Sequence, residues 1–177
     1  MNSRTLVIIK PDGVERNILG EVIRRFENAG LKVIGIKMLI PDEKLVRAHY
    51  NANDESWLKS VGEKRRKSYE SKGIKVSKSD IEVGKEVAEY LVSYLTRGPV
   101  VAIALEGNEA VSIARKISGS TEPKSAMPGT IRGDFSSDSY DLADSEKRAV
   151  ENIVHASDEE NAEREIKLWF KEEELFS

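Results

Sequence analysis

Four short apolar runs, separated by longer segments with helical periodicity, limit what this chain can fold into. Short runs rich in Val and Ile are typical of buried strands, and apolar residues recurring every three or four positions indicate amphipathic helices. The runs lie at 5–9, 31–40, 99–105 and 152–154, and the helical spacing lies at 18–26, 81–95, 110–117 and 162–170. This alternation predicts an α+β fold of ferredoxin-like βαββαβ order, with a four-stranded antiparallel sheet covered by helices on one face.

The connecting segments carry fewer signals. Lys10 follows the first run, and the Pro-Asp-Gly sequence at 11–13 predicts a turn there. Residues 51–79 show little periodicity, so we expect short helices and loops with a solvated surface. Residues 119–137 are rich in Gly, Pro, Ser and Thr and predict a loop.

Polar residues that can accept hydrogen bonds from free backbone N–H groups indicate where helices begin. Asp42 is expected to open a short helix, and Asn108 is the predicted cap of the helix at 110–117. Ser157 and Glu160 match the S-x-x-E capping box. The last helix is therefore expected to begin directly after Ser157.

The composition excludes several classes of site. At 177 residues, the chain is expected to form a single domain, 1–177, and it has no cysteine for disulfides or thiolate chemistry. No segment has the roughly 20 apolar residues of a membrane helix, and no signal peptide is recognised, so we expect a soluble, cytoplasmic protein. A formal net charge of −3 gives no overall attraction for nucleic acid, so an anionic ligand must meet a local cluster of cations.

His155 lies between the last apolar run and the predicted last helix, in the stretch NIVHASDEE. A ring at a helix N-terminus stays neutral because the macrodipole disfavours imidazolium, and the same dipole favours a bound phosphate. One ring nitrogen is then a possible nucleophile if a carboxylate holds the other, and Glu165 is the candidate. Taken alone, His155 is nevertheless more typical of a partly buried histidine that ends a strand.

Candidate phosphate ligands stand at the ends of other elements, although each alone is more typical of a solvated side chain. They are Lys10, Arg115, Thr121 and Arg132. The G-x-x-x-x-G-K-[ST] spacing of a P-loop and the G-x-G-x-x-G fingerprint are both absent. His49 and His155 are the only histidines, so we expect no histidine-rich metal site and name no metal-binding residue.

Five sequence blocks, taken in order, resemble the nucleoside diphosphate kinase family: TLVIIKPDGVERNILGEV, RGPVVAIALEG, PGTIRGDF, NIVHASD and AEREIKLWF. NIVHASD is similar to the family's active-site signature N-[IV]-[IV]-H-[GA]-S-D. The resemblance covers roughly 5–50, 87–135 and 150–175. It implies a ping-pong transfer in which the γ-phosphate of a nucleoside triphosphate, with ATP as the expected donor, passes to a histidine and then to a nucleoside diphosphate. His155 matches that nucleophile, and Glu165 matches the carboxylate that orients it.

The resemblance also implies ligands, partners and further site residues. Mg²⁺ is expected to bridge the nucleotide's own phosphates with few or no protein ligands. A homo-oligomer, hexamer or tetramer, is expected, without a membrane or a specific nucleic acid partner. Family positions that contact phosphates or ribose are matched by Lys10, Tyr50, Arg115, Thr121, Arg132 and Asn152.

Two segments depart from the family pattern, a longer region at 51–86 and an insertion near 136–148. The family's R-P-F-F-x-G-L segment, whose phenylalanine stacks on the base, is missing, and counting back from the third apolar run puts Val87 at that position. A valine can contact a base but cannot stack on it. Either Trp57 or Tyr69 is therefore expected to supply the ring, or base binding is weaker.

Two other functions are compatible with parts of the sequence. A non-enzymatic ferredoxin-like module would use the basic run 64–67 to bind nucleic acid, but the net charge and the lack of an aromatic-rich strand motif disfavour it. A regulatory homologue would keep the fold without turnover. An active kinase is favoured instead by the joint presence of five residues: His155, Lys10, Arg115, Arg132 and Asn152.

Overall fold

A computed structural model describes residues 2–176, which contain a four-stranded sheet. The strands are β1 (Asn2–Ile9), β2 (Lys32–Leu39), β3 (Val100–Asn108) and β4 (Val154–Ala156). Their order across the sheet is β2-β3-β1-β4, and all neighbouring strands are antiparallel. The predicted α+β, ferredoxin-like fold is confirmed.

Nine α-helices connect and cover these strands within residues 2–176. They are α1 (Pro11–Glu15), α2 (Leu19–Asn28), α3 (Glu43–Tyr50), α4 (Glu55–Ser71), α5 (Asp80–Thr96), α6 (Ala110–Ser118), α7 (Ile131–Phe135), α8 (Tyr140–Ser145) and α9 (Ala162–Trp169). Two 3₁₀ turns lie at Pro123–Ser125 and Glu172–Glu174. None of the helices in this range has both the length and the apolar character needed to cross a membrane.

Two segments expected to be irregular are partly helical. The predicted turn at 11–13 is the start of α1, and the predicted loop at 119–137 contains a 3₁₀ turn and α7. Both α1 and that 3₁₀ turn have a proline in their first turn. Proline is common both in turns and at the first helical position, so its presence does not distinguish the two.

Both faces of the sheet are covered, so the prediction of helices on one face is wrong. Along β1, Ile9 packs with Phe26 of α2, whereas Ile8 packs with Ile166 and Trp169 of α9. Successive side chains of a strand point to opposite faces. A strand that is apolar at consecutive positions, as β1 is, therefore needs cover on both sides.

The region at 51–79 is dominated by the 17-residue helix α4 and not by short helices and loops. Its buried residues are Leu58 and Gly62, so no apolar stripe marks it in the sequence. Backbone contact holds it against α5 instead. A Cβ at Gly62 would lie 1.7 Å from the carbonyl oxygen of Asp80, and one at Gly84 would lie 2.0 Å from that of Leu58.

The fourth strand begins two residues later than predicted, at Val154 and not at 152. His155 consequently lies inside β4, opposite Ile8 of β1. β4 is an edge strand of the sheet, and its pairing with β1 restrains the backbone of His155 more than a position after the strand would.

Two predicted helix caps are wrong. α9 begins at Ala162 and not directly after Ser157. The cap position of α6 is Glu109, one residue after Asn108, and the backbone N–H of Ala110 donates to Ser3 Oγ of β1 at 2.9 Å. An acceptor from another strand cannot be found from local spacing, which is why the cap of α6 was misplaced.

Candidate active site

A cleft of about 580 Å³ lies beside β4. All of the predicted substrate residues line it together with His155: Lys10, Tyr50, Val87, Arg115, Thr121, Arg132 and Asn152. Glu165 is buried in the first turn of α9, next to His155. The fold therefore collects side chains that are spread over more than 150 positions of the sequence.

The ring of His155 is held through one of its two nitrogens. Its Nε2 lies 2.8 Å from Glu165 Oε2, and the same carboxyl oxygen accepts a hydrogen bond from Ser157 Oγ. Because a carboxylate only accepts hydrogen bonds, we assign the ring proton to Nε2. Nδ1 then keeps its lone pair, as a nucleophilic nitrogen requires.

The predicted helix dipole does not explain why His155 is neutral. The dipole acts within about one turn of a helix end, and α9 begins only at Ala162. Burial, followed by the positive charges of Lys10 and Arg132, lowers the pKa of His155 to about 3. Burial also raises the pKa of Glu165. The neutral ring is thus a consequence of its tertiary surroundings.

Lys10 is a buried cation in a chain of side-chain hydrogen bonds. Its Nζ donates to Asn152 Oδ1 at 2.7 Å, and Asn152 Nδ2 donates to the carbonyl oxygen of Thr121 at 2.7 Å. Burial and the charge of Arg132 lower the pKa of Lys10 to about 7, although Asp12 acts in the opposite direction. An anion placed beside Lys10 would favour its charged form.

Arg132 is buried, and its guanidinium donates to backbone carbonyl oxygens. The distances are 3.2 Å to Asn152, 2.6 Å to Gly119 and 2.7 Å to Val154. Burial lowers the pKa of Arg132 to about 10, so it is charged at neutral pH. The planar fork thus orders the chain leading into His155 and brings positive charge to the cleft.

The backbone before His155 is strained and is held by residues that the sequence did not single out. Ile153 has a φ of 68°, an unfavourable left-handed conformation for a β-branched residue. Its N–H donates to Asp12 Oδ2 at 2.9 Å, and the Tyr94 hydroxyl donates to Asp12 Oδ1 at 2.6 Å. Asp12 could have been found from its place in the block TLVIIKPDGVERNILGEV, whereas no sequence signal marks Tyr94.

His49 is a second buried histidine that packs against His155, with ring centroids 4.4 Å apart. Trp169 Nε1 donates to its Nδ1 at 3.2 Å, and burial lowers the pKa of His49 well below its usual range. Ligand-type atoms of His49, His155 and Glu165 all lie within 4.8 Å of one another. The expectation of no histidine-rich metal site did not include this cluster of two histidines and a carboxylate, in which Trp169 and Glu165 already hydrogen bond to the rings.

The cleft has two ends. The histidine end comprises Lys10, Arg115, Thr121, Arg132, Asn152 and His155, and the helical end comprises Val61, Lys64, Arg65 and Ser68 of α4, Val87, Tyr90 and Leu91 of α5, and Tyr140, Ala143, Asp144 and Arg148 in and after α8. Of the described residues, Trp57 and Tyr69 are outside this lining: Trp57 packs against Leu58, and Tyr69 contacts Arg65. Neither residue is therefore placed to supply a base-stacking ring in this cleft, so the first of the two alternatives is wrong, and weaker base binding stays a prediction.

The basic run at 64–67 is largely engaged within the chain. Its ion pairs are Arg65 with Asp144, Arg66 with Asp80, and Lys67 with Glu63. Two of these pairs connect α4 to α8 and to α5. The run therefore contributes to the packing of the helical end.

A family model described as nucleoside diphosphate kinase matches residues 3–60 and 77–175. The unmatched residues between these segments lie within the longer region at 51–86. A relative from Pyrobaculum aerophilum, named nucleoside diphosphate kinase, is 49% identical over 178 residues, which cover 97% of each chain.

Solved structures agree with this match in sequence. An NDP kinase from Pyrobaculum aerophilum has a TM-score of 0.95 at 46% identity and covers 100% of both chains. A nucleoside diphosphate kinase from Borrelia burgdorferi, solved as a transition-state mimic with bound vanadate and ADP, has a TM-score of 0.79 at 36% identity, covering 99% of this chain and 91% of that one. The chain therefore belongs to the nucleoside diphosphate kinase family.

Proposed function

We propose that this nucleoside diphosphate kinase transfers the γ-phosphate of a nucleoside triphosphate to a nucleoside diphosphate through a phosphohistidine at Nδ1 of His155. The observation that carries the proposal is the hydrogen bond between His155 Nε2 and Glu165, which leaves Nδ1 unprotonated in a cleft that contains several cations. The Borrelia burgdorferi enzyme was solved with bound ADP and vanadate, which supports a nucleotide as the ligand of this chain.

The reaction has two steps that share one intermediate. First, the Nδ1 lone pair of His155 forms a bond to the γ-phosphorus while the bond between that phosphorus and the bridging oxygen breaks, and a nucleoside diphosphate leaves. Second, a terminal oxygen of another nucleoside diphosphate attacks the phosphorus, and the N–P bond breaks. Glu165 stabilises the positive charge that develops on the ring, and the proton stays on Nε2 throughout.

The histidine end supplies groups that match the transferred charge. Phosphoryl transfer spreads negative charge over the equatorial oxygens, which Lys10, Arg115 and Arg132 stabilise as fixed cations. The Tyr50 hydroxyl is buried without a hydrogen-bond partner among residues 2–176, so a phosphate or ribose oxygen would satisfy it. We assign the same class of contact to Thr121 and Asn152.

We also propose that the nucleotide carries Mg²⁺ on its own phosphates. The chain fits this arrangement because the lining near His155 is mainly cationic and so suits the phosphates, which bring the ion with them. Asp158 is the carboxylate of this lining that lies close enough to His155 to influence its pKa. Mg²⁺ keeps several of its waters in such sites, so Asp158 would hold the ion through water. When bound, the ion neutralises phosphate charge.

Assembly into a homo-oligomer, hexamer or tetramer, is a further proposal. β2 is an edge strand of the sheet, and Ile36, Met38 and Ile40 on or beside it are 51%, 56% and 68% exposed. An apolar edge strand favours pairing with a second copy. Light scattering checks the oligomeric state, and a monomer would contradict the proposal.

We further propose that residues 1–177 form one domain. The cytoplasmic location stays a prediction.

The phosphohistidine is tested with γ-labelled ATP in the absence of an acceptor. We expect acid-labile, alkali-stable label on the protein, none on His155→Ala, and loss of the label when a nucleoside diphosphate is added. Thermal unfolding of His155→Ala controls for misfolding. Equal labelling of the variant and the wild-type protein would contradict the mechanism.

A further inference from the structure

The side of the helical end formed by α5 has no aromatic ring with both faces uncovered on which a nucleotide base could stack. Val87 and Leu91 line this side, and neither is aromatic. Tyr90 is the aromatic residue of α5 in the lining, but the Arg65 guanidinium carbon lies over its ring, 5.5 Å from the centroid. A base that enters this end must therefore find an aromatic surface on another element.

Tyr140, at the start of α8, presents such a surface. It lines the cleft and is 42% exposed, a large fraction for an aromatic residue at a concave site. In the part of the chain that the structure describes, no ring stacks on Tyr140 and no cation lies over its face. Tyr140 lines the same cleft as Arg132 of the histidine end and Arg65 of α4.

The backbone that carries Tyr140 is fixed from several sides. Its N–H donates to Glu122 Oε1 at 3.0 Å. Arg65 of α4 pairs with Asp144 of α8, and Lys72, directly after α4, pairs with Asp141 of α8. The two regions that depart from the family pattern therefore hold each other in place, and little backbone entropy is lost when a ligand contacts Tyr140.

We propose that Tyr140 stacks on the base of the bound nucleotide, with Val87 and Leu91 on the opposite side of the base. The inference rests on the proposed function, because it requires the nucleotide's phosphates to lie at the histidine end. Stacking accepts every base, since each has a π-face. Tyr140 thus replaces the ring of the missing R-P-F-F-x-G-L segment while leaving base selectivity low.

The test compares ligands with and without a base. The Kd values of ADP, CDP and inorganic tripolyphosphate are measured by calorimetry for the wild-type protein, Tyr140→Ala, Tyr140→Phe and Leu142→Ala. For Tyr140→Ala we expect ADP to bind about tenfold more weakly, CDP to lose less because its ring is smaller, and tripolyphosphate to bind unchanged. Tyr140→Phe keeps the ring and should bind ADP like the wild type. Leu142→Ala is the matched control, because Leu142 is an exposed α8 residue outside the cleft lining.

Three results would overturn the inference: an unchanged Kd of ADP for Tyr140→Ala, equal weakening of ADP and tripolyphosphate, or a loss in Tyr140→Phe as large as in Tyr140→Ala. A general loosening of α8 would produce the second pattern, and a role for the hydroxyl the third. ADP binding needs no phosphohistidine, so a failure of the labelling experiment on His155 would be distinguishable from a failure here.

Discussion

The histidine end and the helical end of the cleft are built in different ways. At the histidine end, Lys10 follows β1, His155 lies in β4, and Arg132 of α7 donates to the backbone around β4. Hydrogen bonds to backbone, Asn152 or Glu165 fix each of them. At the helical end, α4, α5 and α8 are joined by backbone contact at glycines and by ion pairs close to the surface.

The difference reflects what each end must do. Phosphoryl transfer requires charges and a lone pair placed to within a fraction of an ångström, so its groups belong on rigid, buried elements. A stacked base requires a flat apolar surface, which many arrangements of helices can supply. The helical end can therefore be rebuilt by long insertions, whereas the histidine end keeps the family's residues.

The largest effect is expected at the histidine end. Glu165→Gln removes the charge that stabilises the phosphorylated ring, and we expect the rate of His155 phosphorylation by ATP to fall on the order of a hundredfold. Rapid-quench single-turnover measurements with labelled ATP give this rate. Glu163→Gln is the control, because Glu163 is an exposed residue of the same helix that pairs with Arg4. A wild-type rate for Glu165→Gln would show that the carboxylate has no such role.

A smaller effect is expected at the helical end. Gly62→Ala forces a Cβ against the Asp80 carbonyl, so we expect unfolding to become easier by about 2 kcal/mol despite the better helix propensity of alanine. The KM for ADP should rise, while labelling of His155 by phosphoramidate, which has no base, should not change.

Gly20→Ala is the matched control, because a Cβ at Gly20 in α2 meets nothing within 4 Å. We expect no loss of stability for this variant. Calorimetric unfolding measures the stability of both variants. Equal stability of Gly62→Ala and Gly20→Ala would show that backbone contact is not the reason that α4 and α5 pack together.

The third effect concerns pH at the histidine end and is small near pH 7. The pKa of Lys10 is lowered from 10.5 to about 7 in the free protein, so Lys10 loses its charge as the pH rises above about 7. An anionic nucleotide favours the charged form. We therefore expect the Kd of ADP to rise by up to about tenfold per pH unit above pH 7, with proton uptake on binding.

Calorimetry in buffers of different ionisation enthalpy measures this proton uptake, and Lys10→Met should abolish it.

The lowered pKa of Lys10 also affects stability, because a rise in pH weakens ADP binding but stabilises the free protein. Because Lys10 has the lower pKa when folded, its burial destabilises the fold below pH 7, and this penalty disappears as the pH rises towards 10.5. A Kd independent of pH between 7 and 9 would mean that Lys10 is already charged without a ligand.

Local patterns in the sequence predicted the strands, most helices and the residues that line the histidine end. Period-two and period-3.6 spacing are properties of residues close together in the sequence, so they can be recognised without knowing the fold. Helix α4 was not predicted because it has no apolar stripe and is held by contacts at glycines and by charged side chains. Asp12 and Tyr94 escaped because their partners, Ile153 and Asn152, lie far away in the sequence.

By itself, the sequence determined the order of the strands and of most helices, the family, and the identity of His155 with its surrounding cations. Only the tertiary structure decided which nitrogen of His155 lies beside Glu165, why the ring is neutral, and which aromatic ring of α8 lines the cleft. These properties depend on burial and on contacts between distant segments: Glu165 on Nε2, Lys10 and Arg132 around the ring, and Tyr140 in the cleft. Charge, burial and hydrogen bonding act through space, and spacing along a chain does not report them.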